Sequence, residues 1–142
     1  MDRLNGLTID LLEVGQAAEL SRTVSESDVY GFAGITGDFN PVHIDAVAAA
    51  ESRFGERVAH GILAAALISA VIGMKLPGAG TIYLSQSLRF TAPVRFGDTV
   101  TARVEVTAVD REKNRVTLVT SCVNQKGEPV AKGESLVMPR KG

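Results

Sequence analysis

An α+β fold, with an antiparallel sheet wrapped round one long buried helix, is predicted by three features of the sequence. From Gly61 to Met74 the chain carries no charge, and its only hydroxyl is Ser69. A helix apolar on every side belongs inside a structure, because a surface helix shows a polar face. A membrane span is the other home for such a run, but spanning takes about 20 apolar residues and this stretch is shorter. After Gly78-Ala-Gly80 the apolar period changes from helical to two-fold, the spacing of strands with one face buried. A sheet of that kind must cover its apolar face, and the apolar helix is the available partner.

The elements before the long helix are short. Leu7, Ile9, Leu11 and Leu12 read as an arm that packs on the body, and Gly15 to Val24 as a first strand. Ser25-Glu-Ser-Asp28 has a hydroxyl followed three residues later by a carboxylate, the pattern that caps a helix start. Val29, Tyr30, Phe32, Ala33 and Ile35 would form that helix's apolar face, and Gly37 suits its end. Asp38-Phe-Asn-Pro41 is turn chemistry, since Asp and Asn bond back to nearby backbone and proline fixes its own φ. A second short helix is expected over Ala46–Phe54. The long helix follows, entered through Ala59-His60-Gly61 and stopped by Leu76-Pro-Gly78.

The back half alternates. In Thr81–Thr91, Ile82, Leu84, Leu88 and Phe90 are expected on one face; in Thr99–Val109, Val100, Ala102, Val104 and Val106 share one. Asp110–Asn114 and Asn124–Gly127 are turns leading to strands over Val116–Val123 and Val130–Met138. Four antiparallel strands result, three of them joined by hairpins. One sheet edge and one outer face stay open, and pairing two copies removes an exposed edge, so a homodimer is expected.

With 142 residues, 45% of them apolar, the chain reads as a single domain over residues 1–142. Fifteen basic and sixteen acidic residues give a net charge of −1, which points away from nucleic acid and anionic membrane as partners. One cysteine, Cys122, excludes an internal disulfide and fits a reducing compartment. Without a basic segment leading into an apolar run at the N-terminus, a cytoplasmic location is expected.

Chemistry concentrates in two places. Asp38 and His43 lie five residues apart on a proline-stiffened turn, and both can exchange a proton near neutral pH. The alternative is structural: Asp38 caps the turn and His43 is a satisfied histidine. At the helix entrance, His60 is either a second acid/base group or a packing residue. The Gly61 N–H lies where a helix terminus would stabilise an oxyanion, although a glycine there would equally serve close packing. Ser69, mid-helix, would ordinarily bond back to a carbonyl one turn earlier. With two histidines, one cysteine and no His pair at helical spacing, no metal-ligand motif stands out. No phosphate-cradling glycine loop is present either.

Thr36-Gly-Asp-Phe-Asn-Pro-Val-His-Ile-Asp45 resembles the signature of the MaoC-like hydratases, the (R)-specific enoyl-CoA hydratase family. The similarity continues through Val58-Ala-His-Gly-Ile-Leu63, Leu76-Pro-Gly78 and Tyr83-Leu-Ser-Gln-Ser-Leu-Arg-Phe-Thr-Ala-Pro-Val94, within residues 15–138. The resemblance implies the hot-dog fold, and an activity: syn hydration of a trans-2-enoyl thioester to the (R)-3-hydroxyacyl thioester, reversibly, with no metal or cofactor. It implies Asp38 and His43 as the catalytic pair, Gly61 as N–H donor to the thioester oxygen, and Ser69 as a supporting position. On that reading Leu63 and Leu67 would line the acyl pocket, and some of Lys75, Arg89, Arg95 or Arg111 would meet coenzyme A phosphates.

Three rivals are weighed against this. A hot-dog thioesterase would be expected to place an acidic residue on the central helix, and Gly61–Met74 has none. A non-catalytic acyl-thioester binding module would have no use for the Asp/His pair. A (3R)-hydroxyacyl-carrier-protein dehydratase fits the pair equally well and is separable by substrate alone.

Overall fold

The computed structural model describes residues 3–142. Strand β1 (Ala17–Thr23) is followed by helices α1 (Glu26–Thr36), α2 (Pro41–Ile44), α3 (Ala46–Ala50) and α4 (Ile62–Met74). Strands β2 (Ile82–Phe90), β3 (Thr99–Asp110), β4 (Arg115–Val123) and β5 (Pro129–Met138) complete the chain. All pairings are antiparallel and the strand order is β1-β3-β4-β5-β2, so β1 and β2 are the edges. The sheet curves over α4. This is the α+β, hot-dog arrangement expected from the sequence.

Alternation builds the core. Val100, Ala102, Val104 and Val106 of β3 and Val116, Leu118 and Cys122 of β4 are buried against Ala64, Leu67, Ile68, Val71 and Ile72 of α4. Two polar residues, Thr120 and Ser135, are buried on the same sheet face. Gln86 of β2 satisfies both: its amide donates to Thr120 Oγ1 at 2.9 Å, and its carbonyl accepts from Ser135 and from the Tyr83 hydroxyl. Burial pushes the Cys122 thiol up to about 11, and its Sγ lies 3.6 Å from the Ala64 carbonyl. Cys122 is thus a core side chain.

Four expectations need correction. Ile82 and Leu84 do not share a face with Leu88; they are exposed, while Tyr83, Gln86 and Leu88 are partly buried. A register shift between Tyr83 and Ser85 is the cause, because one extra residue in a strand reverses the sidedness on either side of it. In α1 only Val29 and Ala33 are buried and Phe32 half-buried, whereas Ile35 is 87% exposed. The second short helix ends at Ala50 and gives way to turns, and a separate one-turn helix, α2, precedes it. Asn40 caps α2 through Oδ1 on the Val42 N–H, with Pro41 in the first turn.

The fourth correction concerns α4. It begins at Ile62 and is not covered all round: Ile62, Ala66 and Ser69, one face at helical spacing, are exposed, as is Met74. One sheet and the short α1 wrap only part of a helix whose composition is apolar everywhere. The N-terminal arm is pinned by Arg111, which donates to the carbonyls of Ile9 and Leu12.

Candidate active site

Residues 37–61 cross the entrance of α4 as a chain of side-chain turns. The Ser25 hydroxyl and Asp28 carboxylate close a capping box on α1, and Gly37 ends that helix at φ 78°. There the left-handed backbone favours glycine. Asp38 Oδ1 then accepts from the Asn40 N–H at 3.2 Å, and Asp45 Oδ1 accepts from Val47 and Ala48. This segment is fixed by local bonds from short polar side chains.

Two long-range bonds anchor the segment to the helix entrance. His43 is buried and its Nδ1 lies 2.7 Å from the Val58 carbonyl. A carbonyl only accepts, so Nδ1 carries a hydrogen, and Nε2 is the ring nitrogen left to exchange a proton. His60, 2% exposed, places Nε2 2.9 Å from the Asp38 carbonyl and 4.0 Å from its carboxylate. The two imidazoles stack at 3.9 Å between centroids, tilted by 30°, and Phe32 of α1 packs on His60 at 4.9 Å. The Asp38 side chain is about half exposed.

Gly61 caps α4 with ordinary helical angles, φ −57° and ψ −39°. Space here is tight: a Cβ would sit 3.1 Å from Cδ1 of Phe90, so a side chain would require that ring to give by a few tenths of an ångström. No acceptor among the described residues takes up the Gly61 N–H, which lies at the positive end of the 13-residue α4. His43 and Gly61 line one cavity of about 360 Å³ together with Asn40, Phe54, Ala59 and Phe90. An imidazole and a helix-terminal glycine whose N–H has no acceptor among the described residues therefore line the same space, with a carboxylate beside them. Such a set can move a proton and steady a developing oxyanion.

Asp38, His43 and His60 also bring one potential metal-ligating atom each within 4.8 Å of one another, a grouping that sequence spacing did not disclose. One nitrogen of each ring is already committed to a carbonyl. That leaves at most one nitrogen of each ring, with the Asp38 carboxylate, to meet an ion. The group fits acid/base chemistry better than a metal centre.

The other candidates separate. Leu63 and Leu67 line a second, mainly apolar cavity of about 340 Å³ between β1, α1 and α4, shared with Val24, Phe32 and Ile35. Ser69 lines neither cavity; it lies on the exposed face of α4, and among the described residues no hydrogen bond takes up its hydroxyl. Within this chain it is not gathered to Asp38 and His43. Of the cations considered for phosphate, Lys75 donates to the Glu19 carbonyl, Arg95 to Glu56 and the Phe54 carbonyl, and Arg111 to the N-terminal arm. Arg89 is exposed, directly opposite Lys132 on β5. Sequence reading missed Arg53, which borders the His43 cavity, and gave Phe32 and Phe90 only helix and strand faces, whereas Phe90 lines that cavity and Phe32 packs on His60.

Residues 12–127 match the model of the MaoC like domain family. An (R)-specific enoyl-CoA hydratase of Rhodospirillum rubrum is 51% identical over 92% of this chain and 91% of its own length. A 3-hydroxybutyryl-CoA dehydratase of Methylorubrum extorquens is 47% identical over 99% and 90%. Among solved structures, an unliganded R-hydratase of Pseudomonas aeruginosa superposes with a TM-score of 0.91 at 47% identity, covering 96% of this chain and 88% of that one. With the Asp-Phe-Asn-Pro-Val-His turn lying over the helix entrance, this chain belongs to the MaoC-like domain family.

Proposed function

We propose that this chain is an (R)-specific enoyl-CoA hydratase, a hydro-lyase working as a cytoplasmic homodimer on trans-2-enoyl-CoA through a single MaoC-like domain. The observation that carries the reading is the shared cavity, lined by both His43 and Gly61, the latter with an N–H that no acceptor among the described residues takes up. Asp38 completes the group from the same short segment. The names and high identity of the relatives above support the substrate class.

In this mechanism the thioester carbonyl takes the Gly61 N–H, and the α4 terminus stabilises the negative charge that gathers on its oxygen. A water held by Asp38 and His43 attacks the β-carbon. One member of the pair takes a proton from that water, and the pair delivers a proton to the α-carbon of the resulting enolate. The net addition is one water, and the pair ends as it began. The acyl chain runs along α4 towards Leu63 and Leu67, which line an apolar cavity of about 340 Å³. Arg53 is the cation on the His43 cavity and a better candidate for a phosphate than Lys75, Arg95 or Arg111, which have partners.

The homodimer is supported by the exposed stripe Ile62, Ala66 and Ser69 and by the open β2 edge, where Ile82 and Leu84 face solvent. In such a pair Ser69 would lie at or near the interface. One buried cysteine fits a reducing compartment, and no helix among the described residues is long and apolar enough to cross a membrane.

Loss of enoyl absorbance on adding the protein to crotonyl-CoA and longer trans-2-enoyl-CoA thioesters tests the activity. Turnover confined to carrier-protein thioesters would replace it with the dehydratase reading, and no turnover on either would sink both. Light scattering tests the dimer: twice the 15.0 kDa chain mass is expected, and a stable monomer at low micromolar concentration contradicts it.

A further inference from the structure

His60 has no role in the chemistry above, yet it is among the largest fully buried side chains and the only one of them that is polar. Its Nδ1 is buried with no hydrogen-bond partner among the described residues. A leaving-out of that kind costs stability, because a bare polar atom is taken from water without a replacement. A phenylalanine or leucine would fill the space without the penalty. What a hydrocarbon cannot do is donate a hydrogen bond, and His60 does so from Nε2 to the Asp38 carbonyl at 2.9 Å. The same ring forms a face for His43 at 3.9 Å and is itself backed by Phe32 at 4.9 Å.

We propose that His60 is a positioning residue: in its Nε2–H tautomer it ties the Asp38 backbone to the α4 entrance and holds the His43 ring by stacking. One buried imidazole thereby sets both members of the acid/base pair without touching substrate. The inference rests on the proposed hydration reaction for its effect on rate, but its contact stands on geometry alone. The tautomer follows from the partner: a carbonyl accepts, so the nitrogen facing it must bear the hydrogen. Asp38 and His43 are the titratable groups the structure sets against this ring. The arrangement also accounts for the spacing of the site. Asp38 is half exposed and its neighbours bond only locally, so without His60 the carboxylate's own backbone has no tie to the helix. His43, by contrast, keeps its bond to Val58 in any His60 variant and would lose only its stacking partner.

Three substitutions separate the two contacts. His60→Phe keeps a ring and loses the donor; His60→Gln keeps an N–H of similar reach and loses the ring; His60→Leu loses both. The leucine variant should lose on the order of 10²-fold in kcat, the cost of a misplacement near 1 Å, with KM changed far less. The phenylalanine and glutamine variants should each recover part of the loss. A folded leucine variant with wild-type kcat would overturn the proposal. So would three variants falling equally, which a purely packing role predicts. The chain has only two histidines, so long-range proton–nitrogen NMR of the wild-type protein can assign both rings, even where no variant folds. Nitrogen shifts of a protonated Nε2 and a bare Nδ1 on His60 are expected at mildly alkaline pH. A proton on Nδ1 instead removes the contact to Asp38 and the proposal with it. That measurement decides His60 independently of whether enoyl thioesters prove to be the substrate.

Discussion

The sheet with α4 and the segment from Gly37 to Gly61 are held together by different physics. In the sheet, periodic apolar side chains and ladder hydrogen bonds do the work; Val100, Val104, Val106 and Leu118 are fully or almost fully buried. In the segment, short polar side chains bond to backbone two or three residues away, and Asp38, Phe39 and Val47 stay exposed. One region provides stability, while the other sets geometry at the mouth of a cavity. Substitutions in the two should therefore fail differently.

The largest effects belong to the segment. Asp38→Asn and His43→Gln should each lower kcat by roughly 10²–10⁴-fold, the range for a general acid or base. The Asp38 variant should melt close to the wild type, because its side chain is half exposed. Steady-state rates beside thermal melts check this, and near wild-type turnover in either variant removes that residue from the mechanism. Gly61→Val comes next. Its side chain would press on the Phe90 ring and, in the proposed mechanism, crowd the thioester oxygen. A loss of about 10²–10³-fold is expected, that of one oxyanion donor, with a smaller change in stability.

Sheet substitutions should reverse the pattern. Leu118→Ala empties a fully buried site and should cost about 2–5 kcal/mol in denaturant unfolding. Its activity per folded molecule should stay near wild type. The smallest effect is expected at the start of α1. Ser25→Ala removes the hydroxyl that caps Asp28 N–H and should cost about 1 kcal/mol, read by the same melts. A large loss of turnover there would mean that α1 orders the site as well as covering the core.

The same contrast explains what the sequence disclosed. Strands β3 and β4 were legible because a buried face every second residue leaves a direct record. The capping box at Ser25 and Asp28 was equally readable, being local. The register shift at Tyr83 was not, since nothing in Ile82-Tyr-Leu-Ser-Gln86 marks the extra residue. The open stripe of α4 was hidden because the helix is apolar on its covered and uncovered faces alike. In the site, Asp38 and His43 stood out by turn chemistry and family resemblance. The contacts that hold them, His60 to the Asp38 carbonyl and His43 to the Val58 carbonyl, span 22 and 15 residues. No local pattern records a meeting of that length.

In the proposed mechanism both members of the pair come from one short, proline-stiffened segment, which puts them on the same side of the bound enoyl plane. Water attack on the β-carbon and protonation of the α-carbon then fall on one face, which is syn addition. The (R) hand is carried over from the relatives' names. The direct test is hydration of crotonyl-CoA by the purified protein, with the product passed to an (S)-specific 3-hydroxyacyl-CoA dehydrogenase and NAD. Enoyl loss with no NADH is the predicted result, and an (R)-specific dehydrogenase should then reduce its cofactor. Prompt NADH formation by the (S)-specific enzyme, with no epimerase present, would contradict the account.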